Sequence, residues 1–195
     1  MAADNQTVLP AVQTLLTRRS VAALRLGEPG PAPEQIEAAV AAALRAPDHN
    51  NLKPWRCVLI RGDARTRLSA LLFERMCARE PSTPPHKLEK VRNNPLAAPL
   101  VIAIAARLTA NKVPEQEQLL TCGAATMNMQ NVFHAQGFAS IWLTGGNAYD
   151  TLVAQALGFD SDERLLGFLY VGTAGPPDSL PPPVRYADHV REWTG

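Results

Sequence analysis

Several things are missing from these 195 residues, and each absence closes off a class of protein. No apolar run approaches the roughly 18 residues a membrane-spanning helix needs. Met1–Thr7 carries Asp4 and no basic stretch, so no secretory signal is expected and the expected location is the cytoplasm. Cysteine occurs only at Cys57, Cys77 and Cys122, widely spaced and outside any Cys-x-x-Cys or Cys/His cluster. Three reduced thiols are expected, with no structural zinc. Charge of one sign is lacking too: a net charge of +1 gives no electrostatic reason to expect nucleic acid or an acidic membrane as partner. No Gly-x-Gly-x-x-Gly follows a first strand and no phosphate-binding Gly-x-x-x-x-Gly-Lys occurs. No paired carboxylates stand in a motif, and no serine or cysteine nucleophile sits in a triad context, so hydrolase chemistry has little support.

What is present is the composition of a globular chain, 46% hydrophobic and 19% charged, of a length suited to one domain over residues 1–195. Of the 17 prolines, six fall in Pro81–Pro114 and five in Pro176–Pro183, marking loops and an extended tail over about 176–195. Helices are expected over about 8–17, from Pro33 to Pro47, over 64–79, briefly over 86–93, over 115–136 and over 149–157. Short apolar runs predict strands at Cys57–Ile60, Pro99–Ala106, Phe138–Trp142 and Leu165–Val171. The segment after Ser20, with Gly27, Pro29, Gly30 and Pro31, reads as a loop. This order predicts an α+β fold of three layers, a mixed sheet of four to five strands between helices. The long helix carries Gly123, Ala124, Ala125 and Ala135, a surface small enough to lie in the middle of something. The tail has too little apolar content for a core of its own, and a partner subunit is a reasonable surface for Tyr186 and Trp193.

Three segments carry candidate chemistry. Arg18-Arg19-Ser20 ends the first helix; guanidinium groups bind phosphate bidentately and a hydroxyl adds a donor, though such a triplet alone is equally a solvated basic helix end. The loop Ala46–Arg56 is polar yet joins a buried helix to a buried strand. Its Asn50 and Asn51 amides can both donate and accept toward a heterocycle edge, and Lys53 can stabilise developing negative charge. Thr144-Gly145-Gly146 follows a strand, and consecutive glycines let backbone approach a flat ligand; an ordinary turn has the same sequence.

Together the pieces form an ordered set: Arg18-Arg19-Ser20, an Ala-Pro helix end, Asn-x-x-Pro-Trp at Asn51–Trp55, Cys122–Ala125, "GFASIWLTGG" at Gly137–Gly146 and "GFLYVGT" at Gly167–Thr173. From about residue 10 to 175 the chain resembles the nitroreductase family, most closely its small single-domain branch. The resemblance implies an enzyme: an FMN oxidoreductase that moves hydride from NADH or NADPH to flavin N5 and on to nitroaromatic, quinone or similar acceptors. It implies a homodimer with FMN at the interface. Arg18, Arg19 and Ser20 match the triplet holding the phosphate and ribityl chain. Arg45, His49 and Asn51 match the loop that reaches the flavin, Arg45 and His49 from the neighbouring subunit. Trp142, Leu143, Thr144 and Gly145 match the stretch along the ring, and Val132–Gly137 a nicotinamide-nucleotide contact. No side chain is required as acid or base; His49 and Lys53 are the candidates for tuning. Asp48-His49 and Lys53 depart from the commoner family loop, and a cation near the ring favours the anionic reduced flavin. Residues 78–98, with Lys87, Lys90 and Arg92, are the expected substrate lid, and Arg185 a late candidate for the phosphate. A dehydrogenase, dehalogenase or azoline oxidase on the same scaffold, or a flavin-binding dimer without turnover, are the alternatives.

Overall fold

The computed structural model describes residues 9–175 and 185–195. Over these, the elements follow the order α1 (Pro10–Thr17), β1 (Leu26–Gly27), α2 (Pro33–Ala43), β2 (Trp55–Arg61), α3 (Ala64–Arg79) and α4 (Pro85–Ala97). Then come β3 (Leu100–Arg107), α5 (Glu115–Ala135), β4 (Ala139–Leu143), α6 (Thr151–Ala156) and β5 (Glu163–Ala174). Pro10, Pro33 and Pro85 all sit in first helical turns, where the missing N–H costs nothing. The two-residue β1 falls in the segment expected to be loop.

The five strands form one sheet in the order β1-β5-β3-β2, with β4 also paired to β5. The expected mixed sheet is corrected here, because all four ladders are antiparallel. The reason is the last strand. β3 and β4 run the same way, joined by α5, but β5 lies between them and pairs antiparallel with both. Among the described residues, the parallel pairing outside named strands is a single bridge, Ser20 to Ser140.

The apolar run of β3 is continuous because both sheet faces are covered. Val101, Ala103 and Ala105 join one core with Leu68 and Leu72 of α3 and Val153 of α6. Leu100, Ile102, Ile104 and Ala106 join the other, with Ile36 and Ala39 of α2 and Cys122, Ala125, Met129 and Phe133 of α5. This gives the expected three layers. A bulge interrupts β5: Ile104 faces Gly167 and Ala105 faces Leu165, leaving Leu166 as the extra residue. The parity of the strand flips there, so Leu165 shares a core with Phe168 and Tyr170.

Residues 78–98, the expected lid, are largely helical. α3 continues to Arg79 and α4 begins at Pro85, leaving five residues between them. α4 is tied to α3 by the Ser69 hydroxyl, which donates to the Arg92 carbonyl at 2.6 Å, and by the Arg92 guanidinium 4.2 Å from the Phe73 ring centre. The proposed crossing of the tail onto a partner lies partly outside the described residues. Of the part described, Tyr186 and Trp193 are exposed.

Gly167 has φ +143, and a Cβ there would stand 2.5 Å from the Leu143 carbonyl oxygen and 2.6 Å from the Trp142 indole nitrogen. Gly167→Ala is expected to destabilise the fold by about 1–3 kcal/mol through overpacking and backbone strain. It should also shift the Trp142 emission. Denaturant melts followed by fluorescence check both; an unchanged midpoint would contradict this packing.

Candidate active site

The triplet at the end of α1 is pinned to two elements. Arg18 leaves the helix in extended conformation, Thr17 Oγ1 lies 3.0 Å from His134 Nε2 in the last turn of α5, and the Val21 amide donates to the Ser140 carbonyl at 3.1 Å. Ser140 is held in turn by buried Gln130, whose amide donates to its hydroxyl at 3.2 Å. Arg18 and Arg19 are half-buried and Ser20 is exposed. Burial, and then the Arg18 and Arg19 charges, lower the pKa of the His134 imidazole below its ordinary value of 6.5. Two neighbouring guanidinium groups at this point are suited to an anion. His134 lies in Val132–Gly137, which otherwise forms a packed helix end around buried Phe133.

From Ser140, β4 leads directly to Trp142-Leu143-Thr144-Gly145. Thr144 and Gly145 are exposed, and Gly145 has φ +105, which glycine alone tolerates cheaply. Trp142 lies over Gly167, its buried indole N–H without a hydrogen-bond partner among the described residues. Beside this stretch opens a cleft of about 490 Å3 lined by Leu119, Trp142, Thr144, Tyr149, Arg164, Leu165 and Leu166.

The loop after Gly145 is clamped by α3, through residues that no sequence motif marked. Arg79 lies against Gly146, where a Cβ would overlap its guanidinium. It donates to Asn147 Oδ1 at 3.2 Å, and Asn147 donates to the Leu72 carbonyl at 3.1 Å. Asp150, with a side chain only 6% exposed, accepts from Arg75 at 2.9 Å and Arg79 at 3.3 Å and caps α6 through the Leu152 amide. Burial pushes its carboxyl up, but the Arg75 and Leu152 bonds and the two arginine charges outweigh that and hold it below the usual carboxylate range. A signal was available: an Asx residue just before an apolar helix, at Asp150-Thr151-Leu152, reads as a cap.

The third segment sits elsewhere. Asp48 organises the loop by accepting from the Leu52 and Lys53 amides at 3.1 and 2.6 Å, and Asn50, Asn51 and Lys53 all have positive φ. Lys53 Nζ donates to Asn51 Oδ1. Thr121 of α5 donates to the Pro47 carbonyl, and His49 Nδ1 pairs with Glu117 at 2.6 Å. Arg45, His49, Asn51 and Lys53 are exposed. Glu117 and His134 mark the two ends of α5, and the helical rise from one to the other spans about 25 Å. Within one chain, then, Arg18, Arg19 and Ser20 meet Trp142–Gly145 through β4, whereas His49 stands at the far end of α5 from the cationic cluster. Arg185 is exposed, 3.9 Å from Asp188 in the same short turn.

Cys57 and Cys122 are disfavoured as nucleophiles. Burial pushes Cys57 up, and Cys122 is pushed up to about 12, mainly by burial and then by the Asp48 charge. No group of His, Cys, Asp or Glu able to hold a metal occurs among the described residues. No helix among them is long and apolar enough to cross a membrane.

Residues 15–173 match the model of the Nitroreductase family, and the chain belongs to that family. An Escherichia coli (strain K12) protein named "Putative NAD(P)H nitroreductase YdjA" is 39% identical over 166 residues, covering 85% of this chain and 88% of that protein. In three dimensions the fold is similar to that of a nitroreductase-like family protein from Bacillus cereus, with TM-score 0.80 and 19% identity over 98% of this chain and 100% of the other. It is also similar to a mutant of NfnB from Sphigopyxis sp. strain HMH, described as an FMN and NADPH-dependent nitroreductase. There the TM-score is 0.75 with 20% identity, over 96% and 100% of the two chains.

Because the folded pKa of His134 is depressed, the unfolded chain takes up its proton first as pH falls. The stability that neutral His134 contributes is present above pH 6.5, falls through that value and levels off below the lower folded pKa. Denaturant melts between pH 7.5 and 5.5 should show a steeper loss for the native chain than for His134→Gln. Equal slopes would remove His134 from the cationic cluster.

Proposed function

We propose that this chain is an FMN-dependent oxidoreductase that takes hydride from NADH or NADPH and reduces nitroaromatic, quinone or similar electron-poor acceptors in two successive half-reactions. The observation that carries this reading is the placement of Arg18 and Arg19 against His134, joined by the Ser20–Ser140 bridge to the strand that ends in exposed Thr144 and Gly145. A cationic cluster at one end of a short strand and an open, glycine-relaxed backbone at the other suit a cofactor with a phosphate at one end and a flat ring at the other. The residues present therefore fit the group.

When bound, FMN supplies the hydride-accepting and hydride-donating centre at its N5 atom. The protein supplies position and electrostatics. Arg18 and Arg19 neutralise the phosphate, and the Ser20 hydroxyl adds a donor for phosphate or ribityl oxygens. Trp142, Leu143, Thr144 and Gly145 would hold the ring, with exposed backbone at Thr144 and Gly145 to meet its polar atoms. The Arg75–Asp150–Arg79–Asn147 clamp keeps that backbone from drifting. The cleft beside Trp142 and Thr144 admits nicotinamide and acceptor in turn. No side chain is needed as acid or base; His49 and Lys53 adjust the electrostatics.

The reading includes a homodimer. α1 exposes Val12, Leu15 and Leu16, α2 ends at exposed Leu44, and α5 exposes Leu120 and Met127. An apolar surface on three neighbouring helices is suited to a second copy. The 45–53 loop, held about 25 Å along α5 from its own chain's cationic cluster, is then free for Arg45, His49 and Asn51 to serve the flavin of that copy.

Arg18→Ala should weaken FMN binding by about 1.5–3 kcal/mol, the scale of a charge-assisted hydrogen bond. Titration of the apoprotein with FMN checks this, and unchanged affinity would contradict the phosphate assignment. Leu120→Glu should convert the dimer to a monomer and release FMN, read by light scattering and absorbance. A monomeric native protein that retains FMN would overturn the dimer.

A further inference from the structure

Three arginines stand at one end of the sheet, on neighbouring strands: Arg56 on β2, Arg107 on β3 and Arg164 on β5, with Ala106 facing Arg164 and Arg107 facing Glu163. Two carboxylates stand with them, and both are taken. Arg107 pairs with Asp162 at 3.1 Å, and Arg56 pairs with Glu163 at 3.6 Å. Asp48, the other acid whose charge reaches the same region of α5, spends its oxygens on the Leu52 and Lys53 amides. The Arg164 side chain enters no ion pair or hydrogen bond among the described residues.

Arg164 is exposed, yet it does not face open solvent alone. It lines the cleft of about 490 Å3 with Leu119, Trp142, Thr144, Tyr149, Leu165 and Leu166. The lining therefore holds one cation, no carboxylate, two aromatic side chains and three leucines. The volume falls within the range of small-ligand pockets. Such a wall buries the faces of a flat ring, and an arginine at its edge is matched to a carboxylate, which it takes in paired N–H···O bonds. The position is also fixed from below: Arg164 precedes the β5 bulge at Leu166 and is set in register against Ala106.

We propose that Arg164 anchors the carboxylate of an aromatic acid, so that the acceptors this protein prefers are electron-poor arenes carrying a carboxylate. This rests on the functional reading above, which places the acceptor beside Trp142 and Thr144; it adds the charge of the acceptor and the residue that selects it. With 4-nitrobenzoate as probe, reduction to the nitroso compound consumes one hydride from the nicotinamide and one proton from solvent. One N–O bond breaks and its oxygen leaves as water.

Two measurements on the full-length protein test the anchor. Calorimetry compares 4-aminobenzoate with neutral 4-aminobenzamide, neither of which is a nitro acceptor. The carboxylate should bind at least about tenfold more tightly, and Arg164→Gln should abolish that difference, with Arg164→Lys restoring part of it. Turnover compares 4-nitrobenzoate with 4-nitrobenzamide, and the ratio of their kcat/KM values should fall about tenfold or more in Arg164→Gln, chiefly through KM. Equal binding of acid and amide, or a preference for the acid that survives Arg164→Gln, overturns the anchor. A protein that is reduced by NAD(P)H but shows no acid preference refutes the anchor and leaves the functional reading standing. A protein that takes up no FMN refutes the functional reading, and the calorimetric comparison still decides the anchor.

Discussion

The arrangement depends on α5 and on what is fastened to its two ends. Its buried face, Gln118, Cys122, Ala125, Met129 and Phe133 among others, packs on the sheet and against α2, so the helix can neither slide nor rotate without opening a core. At the C-terminal end His134 meets Thr17 beside Arg18, and the chain turns at once into β4, whose second residue carries Ser20. At the N-terminal end Glu117 and Thr121 hold the 45–53 loop. One rigid rod thus sets the distance between a phosphate-type cluster and a loop meant for the same kind of ligand, and that distance is what makes a second copy necessary in the functional reading.

Charge is distributed with similar economy. Asp150 is nearly buried and would be costly alone, but two arginines and a backbone amide surround it, and the result is a fixed loop at Gly145–Tyr149. Arg56 and Arg107 each have a carboxylate. Arg18 and Arg19 press on a histidine, and Arg164 has no acid to meet.

Much of the fold was legible because period and punctuation agreed. The bounds of α3 were read correctly at residues 64–79, β3 was recognised from its length and β-branched content, and α5 was placed to within one residue. The errors have physical causes. β1 is two residues long and defined by pairing with Thr173 and Ala174, a contact no local pattern encodes. α4 was read as too short, over 86–93; the helix runs on through Pro95, where packing on α3 supports it. The antiparallel sheet could not be read from element order, since it follows from β5 entering between β3 and β4. In the site, Arg18–Ser20 and Trp142–Gly145 were legible as motifs, and the structure brings them together. His134 and Arg79 were not, because they meet partners distant in sequence; Asp150 carried only a local helix-cap signal, and Arg164 stands in no motif.

The central claim is a reducible flavin held by this chain. The most direct measurement is the visible absorbance of the purified protein, reconstituted with FMN where needed, before and after anaerobic addition of NADH or NADPH. The account predicts a bound flavin spectrum that bleaches with one or both nucleotides. A protein that stays colourless and takes up no FMN, or a bound flavin that neither nucleotide reduces, would contradict it.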